Sequence, residues 1–328
     1  MNRLLLSFFV IALLLLLPSS LLVATGTHED DAAATDGPVP DAQPLTVGLM
    51  PAVDSIPLIV AEAQGYFEDE GVSVTLEVFR DQVYREAALQ SGAIDATVSD
   101  LVNAIRSWAN GADYRVLTST QGYFSFVTAA DSGIESTADW PDAPGVVETG
   151  LLDDSIINYT AQRMLVAVGL DPARIRIVPT NQIPVRMEMV VAGELEAAVL
   201  PEPVTRIATA AGAHELVTTE VLDWTPGVVL ATGRALREKP RELESLLRAY
   251  DRAVKAINAD PDAFRTTVVE RAAFPPPTAD TMRIPEYRPA TPPTEAQVAD
   301  VARWMVDRGM IETPPPYGEI VATPPFAE

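Results

Sequence analysis

The sequence predicts an α/β protein of two lobes, each a mostly parallel sheet flanked by helices, with a two-strand hinge between them. Three observations lead there. A segment occurs twice, about a hundred residues apart: AALQSGAIDATVSD and MVVAGELEAAVLPEP. In each copy a helix-compatible run closes on a glycine (Gly92, Gly193). A β-type run follows (Ile94 to Val98, Leu195 to Leu200), and then an acidic residue (Asp100, Glu202). Both copies are also led by the same order of helix-like run, glycine, strand and second helix-like run. These are IPLIVAEAQ, Gly65, VSVTLEVF and VYREAALQ in the first, and YTAQRMLVAV, Gly169, IRIVP and PVRMEMVV in the second. Finally, TPGVVLATG and RELESLLRAYDRAVKAINA read as a strand and helix that return the chain to the first lobe.

Taken in order, the chain opens with Arg3 and an unbroken apolar run from Leu4 to Leu17, the pattern of an export signal. Ala24-Thr25-Gly26 offers small residues for cleavage after Gly26, so residues 1–26 are expected to be removed; a retained anchor is the alternative. The chain has no cysteine, which excludes a lipid anchor, disulfides and thiolate chemistry. Residues 27–43 are acidic and aperiodic, the composition of a tether. Folded structure is expected from LTVGLM, with 44–125 and 225–328 forming the first lobe and 126–224 the second. The chain would cross between lobes near 120–132 and 218–228. The proline-rich FPPPTADTMRIPEYRPATPPTE and ETPPPYGEIVATPPFAE are expected as extended surface segments around the last helix, VADVARWMVDRGM.

The 328 residues carry 46 acidic and 23 basic side chains, a formal net charge of -23, which disfavours nucleic acid as a partner. Neither a metal-ligand spacing nor a phosphate-cradling glycine loop is present, so no metal or cofactor is expected.

With the motifs in place, the chain resembles the periplasmic solute-binding proteins of ABC importers for thiamine pyrimidine precursors, alkanesulfonates, taurine and nitrate. The residues that carry the resemblance are LMPAVDSIPLIVAEAQGYFEDEGVSV, SGAIDATVSD, GLLDDSIINYTAQRML, AGELEAAVLPEPV and ARWMVDRGMIETPPPYGEIV. It spans about Leu45 to Phe326. It implies the type II periplasmic-binding-protein fold, whose lobes close on a small molecule and deliver it to a membrane permease with a cytoplasmic ATPase. A monomer, exported to the periplasm or cell surface, is expected.

Helices that begin just after strands direct backbone N–H groups into such a cleft. Four starts are predicted: at Asp54 and Ser55, at Ser99 and Asp100, at Asp154 and Ser155, and at Glu202 before Pro203. Asp54, Ser99, Asp100, Asp154 and Ser155 are equally good N-caps, so capping and ligand contact both stand for them. Glutamate is a poor cap, which makes Glu202 a ligand contact first. Tyr123, Phe124, Tyr159 and Trp224 could stack on a flat ring, with core packing as the other reading; Tyr123 and Trp224 are retained as candidates. Asp54, Asp100, Asp153, Asp154, Glu202 and Asp223 lie at strand ends with no lysine or arginine at the same points. The expected cargo is therefore neutral or cationic and rich in N–H donors, an aminopyrimidine rather than a sulfonate. An enzyme of the same fold is the alternative. The resemblance implies two such enzymes, of thiamine-pyrimidine and of menaquinone-precursor synthesis. The first depends on a cysteine-rich motif and histidine, whereas this chain has no cysteine and its histidines are His28 in the tether and His214 in AGAHELV.

Overall fold

The computed structural model describes residues 43–142 and 145–326. The expected export segment and all but the last residue of the tether lie outside the described residues. In chain order the strands are β1 (Leu45–Leu49), β2 (Val74–Val78), β3 (Ala96–Asp100), β4 (Tyr114–Thr120), β5 (Phe124–Thr128), β6 (Val147–Leu151), β7 (Ile175–Pro179), β8 (Ala197–Pro201), β9 (His214–Thr218) and β10 (Gly227–Thr232). They form two five-stranded sheets, ordered β2-β1-β3-β10-β4 and β7-β6-β8-β5-β9.

Each sheet has four strands in one direction and one against them. β10 is antiparallel to β3 and β4, and β5 is antiparallel to β8 and β9. The reversed strand is in each case the one that arrives from the other lobe. It enters at the carboxyl ends of its neighbours and so must run back along them, which makes both sheets mixed. The crossings occupy the residues between β4 and β5 and between β9 and β10. The lobe boundary expected at 125/126 therefore falls inside β5.

The lobes repeat each other in detail. Val47 and Gly48 pair with Ala96 and Thr97, as Thr149 and Gly150 pair with Ala197 and Ala198. The Asp95 carboxylate accepts the Thr46 N–H at 3.0 Å, and the Glu196 carboxylate accepts that of Glu148 at 2.7 Å. Both reversed strands are bulged, between Val229 and Leu230 and between Phe126 and Val127. This register makes Pro201, the last residue of β8, the counterpart of Asp100, the last of β3. Glu202 lies one residue beyond, so the sequence-level pairing of Asp100 with Glu202 is off by one.

Helices cover both faces of each sheet. On one face of the first sheet, Ile56–Ala63 packs with Pro240–Ala259, whose Leu243, Leu246, Leu247, Tyr250, Ala253, Val254 and Ile257 recur every three or four residues and are all buried. Leu101–Ala109 and Glu295–Asp307 cover the other face; the latter starts in a capping box of Thr294 and Gln297. In the second lobe Ile156–Ala167 lies on one face, and Ile183–Val191 and Val204–Ala210 on the other.

The proline-rich segment does more than cover a lobe. Met282 and Tyr287 are buried in the first core. Thr291 then hydrogen-bonds to Ser119 and Thr118, and Val321 bridges to Val116, so the exposed edge of β4 is sealed. Among the described residues no helix is long and apolar enough to cross a membrane.

Candidate functional site

Because the chain crosses only at the carboxyl ends of β4 and β9, the carboxyl ends of the parallel strands in the two sheets face each other beside the hinge. The wall of the first lobe gathers Asp54, Ser99, Asp100 and Asn103. Asp100 ends β3 and caps the helix Leu101–Ala109, accepting from Asn103 N at 2.8 Å and Asn103 Nδ2 at 2.7 Å. Burial pushes its carboxyl up from the usual carboxylate range, against the pull of the Asn103 N–H and Arg85. Asp54 follows β1 and makes no cap hydrogen bond. Its Oδ1 is sealed and has no partner among the described residues. Burial raises the Asp54 carboxyl to about 7; Arg85 opposes the rise and Asp100 adds to it.

Ser55 takes no part in this surface. It is fully buried, and its hydroxyl donates to Met50 O at 2.9 Å, a tie within the turn after β1. Ser99 is buried beside Arg85, at 3.4 Å from Nη2.

The second lobe contributes differently. Ser155 caps the helix Ile156–Ala167 through Asn158 N and donates to Leu152 O at 2.5 Å. Asp154 is exposed, and its carbonyl accepts from Arg106 of the first lobe. Glu202 has no exposed surface and pairs with Arg206 Nε at 2.7 Å. Burial pushes its carboxyl up to about 7 although Arg206 pulls it down. Pro203 is the N-cap, not the first helical residue, and the helix begins at Val204. Glu202 is therefore half of a buried ion pair, and its two carboxylate oxygens, like Asp54 Oδ1, are sealed with no hydrogen-bond partner among the described residues.

The aromatic candidates are mostly core. Tyr123 is 3% exposed, packs in the first core and shares its hydroxyl with Arg283 Nη1 at 2.5 Å. No open ring face is left for stacking. Tyr159 is buried and donates to Asp300 Oδ2 at 2.6 Å. Trp224 is half-buried, its ring centroid 6.3 Å from that of Tyr159. Phe124, also half-buried, packs in the second core.

The expectation that the strand ends carry no cation is overturned. Arg85 sits in the first turn of the helix Gln82–Ser91 and holds Val98 O at 2.9 Å; Arg106 reaches Asp154. Arg206 joins Glu202 to Glu215, and Arg283 joins Glu215 at 3.0 Å. Arg288 donates to Asp223 O at 2.6 Å. Arg85 and Arg206 come from helices within about one element of the strand ends that they meet, and Arg106, Arg283 and Arg288 from the other lobe or the C-terminal segment, far away in sequence. Only Arg85 left a trace in the repeat: VYREAALQSG and PVRMEMVVAG place an arginine seven residues before the glycine in both copies.

Two cavities flank these elements. One of about 430 Å³ lies at the crossings, lined by Gln121, Tyr123, Glu220, Thr225, Glu286 and Arg288. Another of about 700 Å³ lies against Arg80, Glu270 and Phe274 and touches none of the predicted site residues.

A sequence comparison with curated proteins gives no match. Solved structures share the fold. The ligand-binding component of an ABC-type import system from Staphylococcus aureus, with zinc bound, superposes with a TM-score of 0.71 at 13% identity, over 87% of this chain and 98% of that one. The alkanesulfonate-binding protein SsuA from Xanthomonas axonopodis pv. citri, bound to MOPS, gives 0.68 at 18% identity, over 87% and 100%. The desulfurization enzyme DszB gives 0.58 at 14% identity, over 86% and 97%. These likenesses, with the strand order and the pair of crossings, are those of the periplasmic-binding-protein fold. The family model described as NMT1/THI5 like matches residues 52–264, well over half of the sequence, and the chain belongs to that family.

Proposed function

We propose that the protein is an extracytoplasmic solute-binding protein of an ABC importer. It captures a small, neutral or cationic, nitrogen-containing molecule between its lobes and delivers it to a permease with a cytoplasmic ATPase. An aminopyrimidine-like thiamine precursor is the favoured cargo. The family and the importer components among the similar structures support the transport role. The observation that carries the cargo is Asp54, which combines a sealed oxygen without a partner and a carboxyl raised to about 7. A buried acceptor of this kind is satisfied by an N–H donor, and a cationic donor also offsets its burial.

A second reading, an alkanesulfonate, is favoured by Arg85 and by the SsuA likeness. Calorimetry separates the two. Under the first, 4-aminopyrimidine binds and ethanesulfonate does not; the reverse result overturns the cargo while leaving the transport role intact. Reconstituted vesicles with the cognate permease and ATPase test that role, through uptake that depends on this protein. An enzyme, the reading supported by the DszB likeness, would instead convert a bound compound, which mass spectrometry of the incubated mixture detects.

A further inference from the structure

The two lobes carry the same buried arginine. Arg85 and Arg186 each lie in the first turn of their helix, and each ties a strand carbonyl thirteen residues on: Arg85 Nη1 to Val98 O at 2.9 Å, Arg186 Nη1 to Val199 O at 2.8 Å. They are 5% and 1% exposed. Past that shared bond they diverge. Arg186 commits the rest of its fork to one carbonyl, with Nε and Nη2 donating to Thr180 O at 3.2 and 2.7 Å. It is a structural clamp with no nitrogen left over.

Phe79 is the counterpart of Thr180, since the two donate their N–H groups to Leu49 O and Leu151 O, the last residues of the paired central strands. Among the described residues Arg85 makes no bond to Phe79. Its Nη2 turns instead to Glu86 Oε1 at 2.5 Å and to Ser99 Oγ at 3.4 Å, and its Nε, sealed from water, has no partner among the described residues. A guanidinium N–H left unmatched in a buried wall is costly, and its planar fork suits a flat acceptor.

Arg85 lies near enough to Asp54 and Asp100 to pull both carboxyls toward ionisation, yet it forms no ion pair with either among the described residues. Asp54 Oδ1 is the other unmatched atom of this wall. Arg85 Nε and Asp54 Oδ1 are thus a spare donor and a spare acceptor on one lobe wall, while Arg186, the matching arginine of the other lobe, has every nitrogen bonded.

We propose that Arg85 is a ligand-binding residue and that the site takes a molecule with a hydrogen-bond acceptor or anionic group next to an N–H donor. The acceptor meets Arg85 Nε and the donor meets Asp54. This rests on the solute-binding reading and narrows its cargo. An amino group beside a ring nitrogen has this face, and so does an ammonium close to a sulfonate.

The test compares Arg85→Met with Arg186→Met by thermal unfolding and by calorimetry, using 4-aminopyrimidine, taurine, ethylamine and ethanesulfonate as probes. The wild type should bind 4-aminopyrimidine or taurine about tenfold or more tighter than either single-group probe, and Arg85→Met should lose that advantage. Both variants lose the shared strand-carbonyl bond, but Arg186→Met also strands Thr180 O, so it should melt several degrees below Arg85→Met, about 4 °C or more, with probe affinity unchanged. Arg85→Met that binds like the wild type overturns the proposal. If no probe binds the wild type, the cargo reading fails, and the melting temperatures still test whether Arg85 keeps a spare N–H: equal losses in the two variants overturn the proposal, and a larger loss in Arg186→Met supports it.

Discussion

The phenol of Tyr159 donates to Asp300 Oδ2 at 2.6 Å, and so ties the helix Ile156–Ala167 of the second lobe to the helix Glu295–Asp307 of the first. Arg163 holds the other carboxylate oxygen at 2.8 Å, and Trp304 meets the Tyr159 ring edge-on at 5.5 Å. Tyr159→Phe removes one hydrogen bond to a charged acceptor and should cost about 1.5–3 kcal/mol in urea unfolding. Asp300→Ala strands both donors and should cost at least as much.

Gly48 and Gly150 hold equivalent places, and an added Cβ would come within 2.7 Å of Ile94 Cδ1 in one and 2.5 Å of Leu195 Cδ1 in the other. Alanine at either position should destabilise by about 1–3 kcal/mol, because a packed central strand has no room to give. Similar losses in the two variants, read by chemical denaturation, check the lobe equivalence.

Asp54 and Glu202 both have carboxyls raised to about 7 by burial. The folded state then binds more protons than the unfolded chain between the ordinary carboxylate range and neutrality. Stability should fall as pH rises through that window, by at most about 1.4 kcal/mol per pH unit for each group. Glu202→Gln should flatten part of the slope in a series of melting curves, and Asp54→Asn another part.

Ligand affinity should run the other way. An N–H donor prefers ionised Asp54, so 4-aminopyrimidine should bind more tightly as pH rises toward about 7 and level off above it. The gain is at most about tenfold per pH unit. Asp54→Asn should weaken binding and remove this dependence; a profile unchanged by the substitution excludes Asp54 as the acceptor.

Arg283 leaves the first core beside buried Met282 and reaches Tyr123 on one crossing and Glu215 on β9. Arg283→Ala removes one of several ties between the C-terminal segment and the second lobe; those of Asp300 to Tyr159 and of Arg288 to Asp223 remain. Hydrogen exchange should then be faster at the backbone N–H groups around Tyr123 and Glu215, with little change in melting temperature, since the pair is partly exposed to solvent.

The sequence by itself determined the two lobes and their repeated strand-helix order, and it offered capping, beside ligand contact, for Asp100 and Ser155, which do cap their helices. These depend on hydrophobic period, on glycine at helix ends and on short polar side chains within three residues of the groups that they bind. Tertiary structure decided the rest. Which strand runs backward in each sheet follows from where the chain enters the lobe, a relation that no local period encodes. The charge of the site was misread for the same reason. Arg85, Arg206 and Arg283 meet their carboxylate or strand-end partners across turns of helix or between lobes, and burial outweighs the pull of Arg85 and Arg206 on the carboxyls of Asp54 and Glu202. Desolvation and long-range pairing are properties of what surrounds a side chain in space, so residues adjacent along the chain could show the acids of this cleft but not the cations that face them.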